Sequence, residues 1–228
     1  MIPLRDIIPS QKTPVITYTI IALNAIVFFF ELTLTEAEKH ALFLTLGLVP
    51  AKFSNPQYSE AAGFIPEYYT FFTNIFLHGG WMHFIMNMWA LWIFGDNVED
   101  MMGHLKYFLF YILMGFIASL AHFIIHIQSQ IPAIGASGAL AGVMAAYMRL
   151  FPASRIVTLV PIFFYPMIFE IPAFFYIGFW FLTQLLSGAM TLPVRAEAVG
   201  IAFWAHIGGF AGGFITYRLF LEKNFKNK

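Results

Sequence analysis

The chain has 228 residues, 60% of them hydrophobic and only 11% charged, with a mean hydropathy of +0.75, whereas ordinary soluble domains carry about a quarter charged residues. That balance identifies an integral membrane protein. Formal net charge is zero with no basic block apart from the ends of apolar runs, which sets aside a nucleic-acid partner, and the absence of cysteine removes disulfides, thiolate metal sites and a cysteine nucleophile.

A membrane-crossing helix needs about 20 mostly apolar residues. Six segments are predicted to form one: 15–32, 82–98, 105–127, 134–150, 171–188 and 199–220. The first follows Lys12, yet "FFFELTLTEAEKH" offers no small-residue cleavage site, so it reads as a retained anchor rather than a signal peptide. Between the first two spans, residues 33–81 contain "EAEKHALFLTLGLVPAKF" and "IPEYYTFFTNIFLHGG", too polar to span and too apolar for a free linker. This segment is predicted to pack on or into the membrane face. The expected fold is an all-α integral membrane bundle, a single domain over 1–228 with short cytoplasmic tails at about 1–14 and 221–228.

An even number of spans puts both termini on one side, and that side collects Arg5, Lys12, Lys106, Arg149, Arg155, Arg218, Lys223, Lys226 and Lys228. The other side has Lys39, Lys52 and Arg195. The positive-inside rule therefore places both termini in the cytoplasm and the long first loop outside. Spans 2, 4 and 6 then run in the same direction, from outside to inside.

"HGGWMHFIMN" opens span 2, "GASGALAG" opens span 4 and "AHIGGFAGG" lies near the start of span 6. At 1.5 Å of rise per residue, His83, Ser137 and His206 fall on the order of 10 Å below the outer surface. A lone serine in a spanning helix ordinarily bonds its own backbone or a neighbouring helix, and a lone histidine beside glycines is as readily a satisfied core residue. Two histidines, an asparagine and a serine at one depth point instead to a polar site, because ionisable groups in spans are costly and face the bundle interior. The glycines fit that reading. Gly135, Gly138 and Gly142 on span 4, with Gly208, Gly209, Gly212 and Gly213 on span 6, permit a close helix seam. Gly209 and Gly213 are expected to face span 4, and Phe210 to face lipid.

A nucleophilic serine needs a base within about 2.6–3.2 Å, which a thin seam allows for Ser137 and His206. Ser137 at a helix start leaves backbone N–H groups free for a developing negative charge, while His83 and Asn87, four apart on one helix face, can donate to the same oxygen. His78 reads as an interfacial residue or a further polar neighbour, the former favoured slightly. No H-E-x-x-H string occurs, and Asp6 lies far along the chain from Asp96 and Asp100, so metalloprotease and aspartyl mechanisms are disfavoured. Glu170 stands at the edge of the fifth span and no acidic residue lies within the fourth, fifth or sixth, which leaves no charged relay for a transporter. With no acidic residue placed to orient His206, the chemistry is expected to be a Ser-His dyad without metal or cofactor.

H-x-x-x-N in "HFIMN", G-x-S-G in "GASG" and A-H-x-G-G-x-x-x-G in "AHIGGFAGG" together resemble the rhomboid family of intramembrane serine proteases. The similarity extends through "LGLVPAKF" and "FLHGGWMHFIMNMWALWIFGDNVED" and covers about residues 46 to 217. The resemblance implies a six-transmembrane-helix rhomboid-like bundle with a long membrane-associated first loop, in a prokaryotic inner membrane. It assigns Ser137 as nucleophile, His206 as general base, and His83 and Asn87 as oxyanion stabilisers. Substrates would be transmembrane proteins in the lipid bilayer, cleaved near the outer face. Glu99 matches an acidic position of structural character, and the aromatic span 5, "IPAFFYIGFWFLTQLL", would be the movable side of a substrate entrance. One departure is Tyr69-Thr70, where many members carry Trp-Arg in the first loop. The alternative is a catalytically silent relative that binds and escorts transmembrane helices. Such relatives usually lack the serine or the histidine, and both are present here.

Overall fold

Six long helices coincide with the six predicted segments. In the computed structural model, which describes residues 1–54, 67–162, 165–191 and 202–223, they are α1 (Val15–Glu31), α5 (Trp81–Met102), α6 (His104–Ile125), α7 (Ser137–Leu150), α8 (Ala173–Thr191) and α9 (Phe203–Phe220). Three shorter helices, α2 (Glu36–Leu46), α3 (Ala51–Ser54) and α4 (Thr70–Thr73), lie in the first loop. Residues 199–201 at the expected start of the last span, together with Arg195, Lys226 and Lys228, lie outside the described residues. Among the described residues, α6 and α8 are long and apolar enough to cross a membrane, and α1 is a shorter apolar helix.

The core forms around α7, whose residues from Gly138 to Met148 are all buried. Alanines and glycines dominate this helix, so its neighbours approach closely; α9 packs most extensively against α6 and α7. Gly209 and Gly213 of α9 lie directly on the Gly138 and Gly142 carbonyls, as the seam required. Gly208 and Gly212 serve a second seam, against Ala121 and Ile117 of α6. Phe210 is not on a lipid face: it is 4% exposed and stacks on Phe181 of α8 with ring centroids 3.9 Å apart. An apolar side chain reads the same whether it meets lipid or another helix, and only the packing of α8 decides.

Both ends of α1 are tied by carboxylates, one from α5 and one its own. Pro14 precedes α1 and supplies no side-chain cap. Glu99 of α5 takes that role, accepting from the backbone N–H groups of Ile16 (2.9 Å) and Thr17 (2.8 Å) and from the Thr17 hydroxyl (2.7 Å), with His104 Nδ1 at 2.5 Å. A negative charge at these unpaired N–H groups suits the helix dipole. At the other end, Glu31 accepts from the backbone N–H of His78 at 3.1 Å.

The first loop is held without the arginine common in similar chains. Lys52 Nζ reaches Glu67 Oε1 at 3.0 Å, both side chains being largely buried, and also contacts the Leu44 carbonyl. Tyr69 Oη donates to the Thr45 carbonyl at 2.9 Å, and Thr73 Oγ1 donates to that of Leu46 at 2.6 Å. A Thr35–Glu38 capping box starts α2.

The all-α expectation missed a three-stranded antiparallel sheet, ordered β1 (Ile2–Asp6), β2 (Arg155–Ile162), β3 (Tyr165–Pro172). The segment read as an N-terminal tail thus carries a strand. Alternation explains β2: Ile156 and Thr158 are fully buried, while Val157 between them and Leu159 after them are half-buried. Register places Leu159 opposite Ile168 and Pro161 opposite Pro166. The sheet is anchored to the bundle by Trp89 Nε1 donating to the Pro3 carbonyl at 2.6 Å and by Tyr147 Oη donating to Asp6 at 2.6 Å.

Candidate active site

The start of α7 is set by its surroundings. Leu48 and Ala133 exchange backbone hydrogen bonds of 2.8 and 3.1 Å, and the Gly135 N–H donates to the Asn74 carbonyl at 2.9 Å. Gly135 has φ +123°, and a Cβ there would lie 2.5 Å from His83 Nε2. Glycine is needed on both counts, and α7 accordingly begins three residues later than the apolar run. The first helical bond runs from the Leu140 N–H to the Ala136 carbonyl at 2.9 Å, leaving the N–H groups of Ser137, Gly138 and Ala139 without intrahelical acceptors.

Ser137 Oγ and His206 Nε2 are 2.7 Å apart, within hydrogen-bond reach across the α7–α9 seam. His206 is buried, and its other ring nitrogen, Nδ1, lies 2.8 Å from Gln184 Oε1 on α8. The Trp180 ring lies 5.9 Å from the imidazole. Asn87 is buried one helical turn beyond His83 on α5, and its side-chain NH₂ has no partner among the described residues. A buried amide donor left unpaired costs about 1–3 kcal/mol. The His83 ring lies over Gly135, beside Ser137.

These distances make the strings at the starts of α5, α7 and α9 one site. A rhomboid-domain family model matches residues 66–223. The chain belongs to the rhomboid family. It is 30% identical over 154 residues to Rhomboid protein 1, mitochondrial, of Saccharomyces cerevisiae, covering 65% of this chain and 40% of that protein. It is 31% identical over 152 residues to RHOMBOID-like protein 6, mitochondrial, of Arabidopsis thaliana, covering 65% and 42%. With the Rhomboid protease GluP of Bacillus subtilis it shares 33% identity over 142 residues, 62% of this chain and 26% of that one. The matched region thus spans less than half the length of these relatives. Family membership makes the chain an integral membrane protein.

Of the four expected residues of this rhomboid chain, Ser137 and His206 are in contact, His83 lies beside Gly135 and Ser137, and Asn87 sits one helical turn beyond His83 on α5. Sequence reasoning missed Gln184, which a lone amide among aromatic residues does not announce. It also missed the polar wall behind the serine, where Asn74, Ser119 and His122 line a cavity of about 20 Å³ with Ser137, room for about one water molecule. Asn74 Nδ2 donates to Ser119 Oγ at 2.9 Å.

His78 is a neighbour of the site rather than an interfacial residue: it is 1% exposed, 5.2 Å ring to ring from His83, and packed edge-on to Phe28 and Phe84. Burial first, and the nearby His83 second, push its pKa down to about 4. The unfolded chain takes up this proton near pH 6.5 while the folded chain refuses it until about pH 4, so stability is full above 6.5 and declines as pH falls through that window. The His78 share is at most about 1.4 kcal/mol per pH unit. Thermal melts in detergent at pH 7.5 and 5 should show a smaller loss for His78→Phe than for the unaltered chain; equal losses would remove His78 as a cause.

Proposed function

We propose that the chain is an intramembrane serine endopeptidase that cleaves transmembrane segments near the outer membrane face. The observation that carries this reading is the 2.7 Å contact between Ser137 Oγ and His206 Nε2. The first N–H groups of α7 lie beside it without intrahelical acceptors, and α5 carries the unpaired Asn87 NH₂ one turn beyond His83. In this reading His206 takes the serine proton as Oγ attacks the scissile carbonyl, then gives it to the leaving amine. The Ser137 N–H, Asn87 and His83 stabilise the oxyanion. Water drawn from the polar cavity then attacks the acyl-serine, with His206 again acting as base, and frees the second fragment.

A stable helix hides its carbonyls, so the substrate segment must unwind where it meets the site. Substrates are accordingly transmembrane proteins with a segment weak in helix propensity near the outer surface. In this reading the Lys and Arg distribution supports both termini in the cytoplasm, the membrane is a prokaryotic inner membrane, and the whole chain acts as one domain. A silent helix-binding relative would have no use for a serine and histidine in contact.

The decisive assay is incubation of purified protein in detergent with a labelled single-span substrate, followed by identification of the cut. Asn87→Ala should lower kcat and leave KM nearly unchanged, because its bond strengthens only as charge develops. One oxyanion donor is worth about a hundred- to a thousandfold in rate, and the lower end is expected because His83 and backbone N–H groups remain. A raised KM with normal kcat would make Asn87 a binding residue instead.

A further inference from the structure

Gln184 sits on α8, outside every motif the sequence offered, and its amide orientation follows from its bonds. Thr183 Oγ1 donates to the Trp180 carbonyl at 2.6 Å, which commits the hydroxyl proton and leaves Oγ1 an acceptor. Gln184 Nε2 lies 3.0 Å from that Oγ1 and 3.5 Å from the same carbonyl. Reversing the amide would set its oxygen against two acceptors. The amide oxygen therefore faces His206 Nδ1, 2.8 Å away, and can only accept. Nδ1 must then carry the proton of the neutral ring, and Nε2 presents its lone pair to Ser137 Oγ at 2.7 Å.

We propose that Gln184 is the positioning residue of the Ser137–His206 pair: its amide oxygen holds the imidazole in the Nδ1–H tautomer and in the ring orientation that aims Nε2 at the serine. The inference rests on the protease reading above and replaces its dyad with a three-residue unit spanning α7, α8 and α9. During attack the proton leaves Oγ for Nε2 as the Oγ–carbon bond forms. Nδ1–H keeps its bond to Gln184 throughout, and the Nε2 proton passes to the amine as the carbon–nitrogen bond breaks. The amide dipole thus faces the transient imidazolium without carrying charge itself. A carboxylate there would first have to be stripped of water. Among the described residues, the titratable groups whose charge reaches His206 are His83 of α5 and His122 of α6; neither is acidic.

Placement on α8 separates the two requirements of the site. The α7–α9 seam sets the serine–histidine distance, whereas α8 sets which nitrogen of the ring is free. An outward shift of α8 would release the tautomer while leaving the seam intact.

The test uses the full chain in detergent, with Gln184→Leu and Gln184→Glu. Nitrogen-15 NMR of labelled histidine, with His206 assigned from its loss in His206→Asn, should show Nδ1 protonated and Nε2 free in the unaltered protein. Gln184→Leu should lose that preference. Its rate of Ser137 labelling by a fluorophosphonate should fall about ten- to a hundredfold, the loss of one buried hydrogen bond, and kcat for a single-span substrate should fall alike with KM little changed. Gln184→Glu, which keeps an acceptor, should retain the Nδ1–H tautomer and exceed the leucine variant in rate, with the acidic limb of its pH profile moved to higher pH. An Nε2–H tautomer in the unaltered chain, or unchanged tautomer and labelling in a folded Gln184→Leu, would overturn the proposal. Absence of cleavage and labelling in the unaltered chain, with the tautomer still dependent on Gln184, would sink the protease reading and leave the positioning role standing.

Discussion

Ser137→Ala and His206→Ala should each abolish cleavage of a single-span substrate while leaving the fold intact. The serine and histidine act as one unit, since the hydroxyl is a poor nucleophile until Nε2, 2.7 Å away, takes its proton. Loss of either member of a comparable pair costs on the order of a millionfold, and loss of both costs little more. The double variant should therefore be no worse than either single one. Ser137 is partly exposed and alanine only removes its hydroxyl, so the substitution is accommodated without strain. A fluorophosphonate should label Ser137 alone, and labelling should vanish with His206→Ala. Substantial turnover by purified Ser137→Ala, or an adduct on another serine, would refute the assignment.

The second large effect comes from a residue without reactive atoms. Gly209 lies on the Gly138 carbonyl, and even a methyl group at its Cα would collide with that backbone oxygen. Backbone cannot swing aside as a side chain can, so α7 and α9 must separate. Gly209→Val should stretch the Ser137–His206 contact, and a misplacement of about 1 Å costs about a hundredfold in rate. Gly209→Ala should already be impaired. Ile215, on the same helix and 75% exposed, is the fitting control, and Ile215→Phe should keep its activity. Cleavage and melting temperature measured together separate a displaced site from an unfolded one. Full activity of Gly209→Val would show that close approach of these helices is not what the glycines provide.

What the sequence disclosed follows a physical pattern. The positions of the long helices could be read because long apolar runs have few alternatives, and the serine–histidine pair because glycine spacing and polar residues at one depth leave a joint mark. Gln184 left none: its bond to His206 joins residues 22 apart on two helices, and no spacing rule relates them. Phe210 was misplaced for the complementary reason, since its partner Phe181 belongs to a helix whose packing the pattern does not constrain. The sheet escaped notice because "IVTLVPIFFYPMIFEIP" is apolar apart from Thr158 and Glu170. Its alternation is masked, and its partner strand lies some 150 residues earlier, in a segment that reads as a tail.

The facing prolines of that sheet have a bearing on how the molecules behave in a crowd. A pair of prolines cannot exchange backbone bonds, so Pro161 and Pro166 must form a pair of the wide, unbonded kind. Counting alternately along β3, Pro166, Ile168, Glu170 and Pro172 are then the residues that turn their backbone away from β2. Two of these four have no N–H to give. The open border of the sheet is left with acceptors and only the donors of Ile168 and Glu170, one of which carries a charged side chain. A strand from another molecule meeting this border finds half its expected donors missing. An apolar hairpin that would otherwise invite stacking of one molecule upon the next is, by its own sequence, a poor template for it.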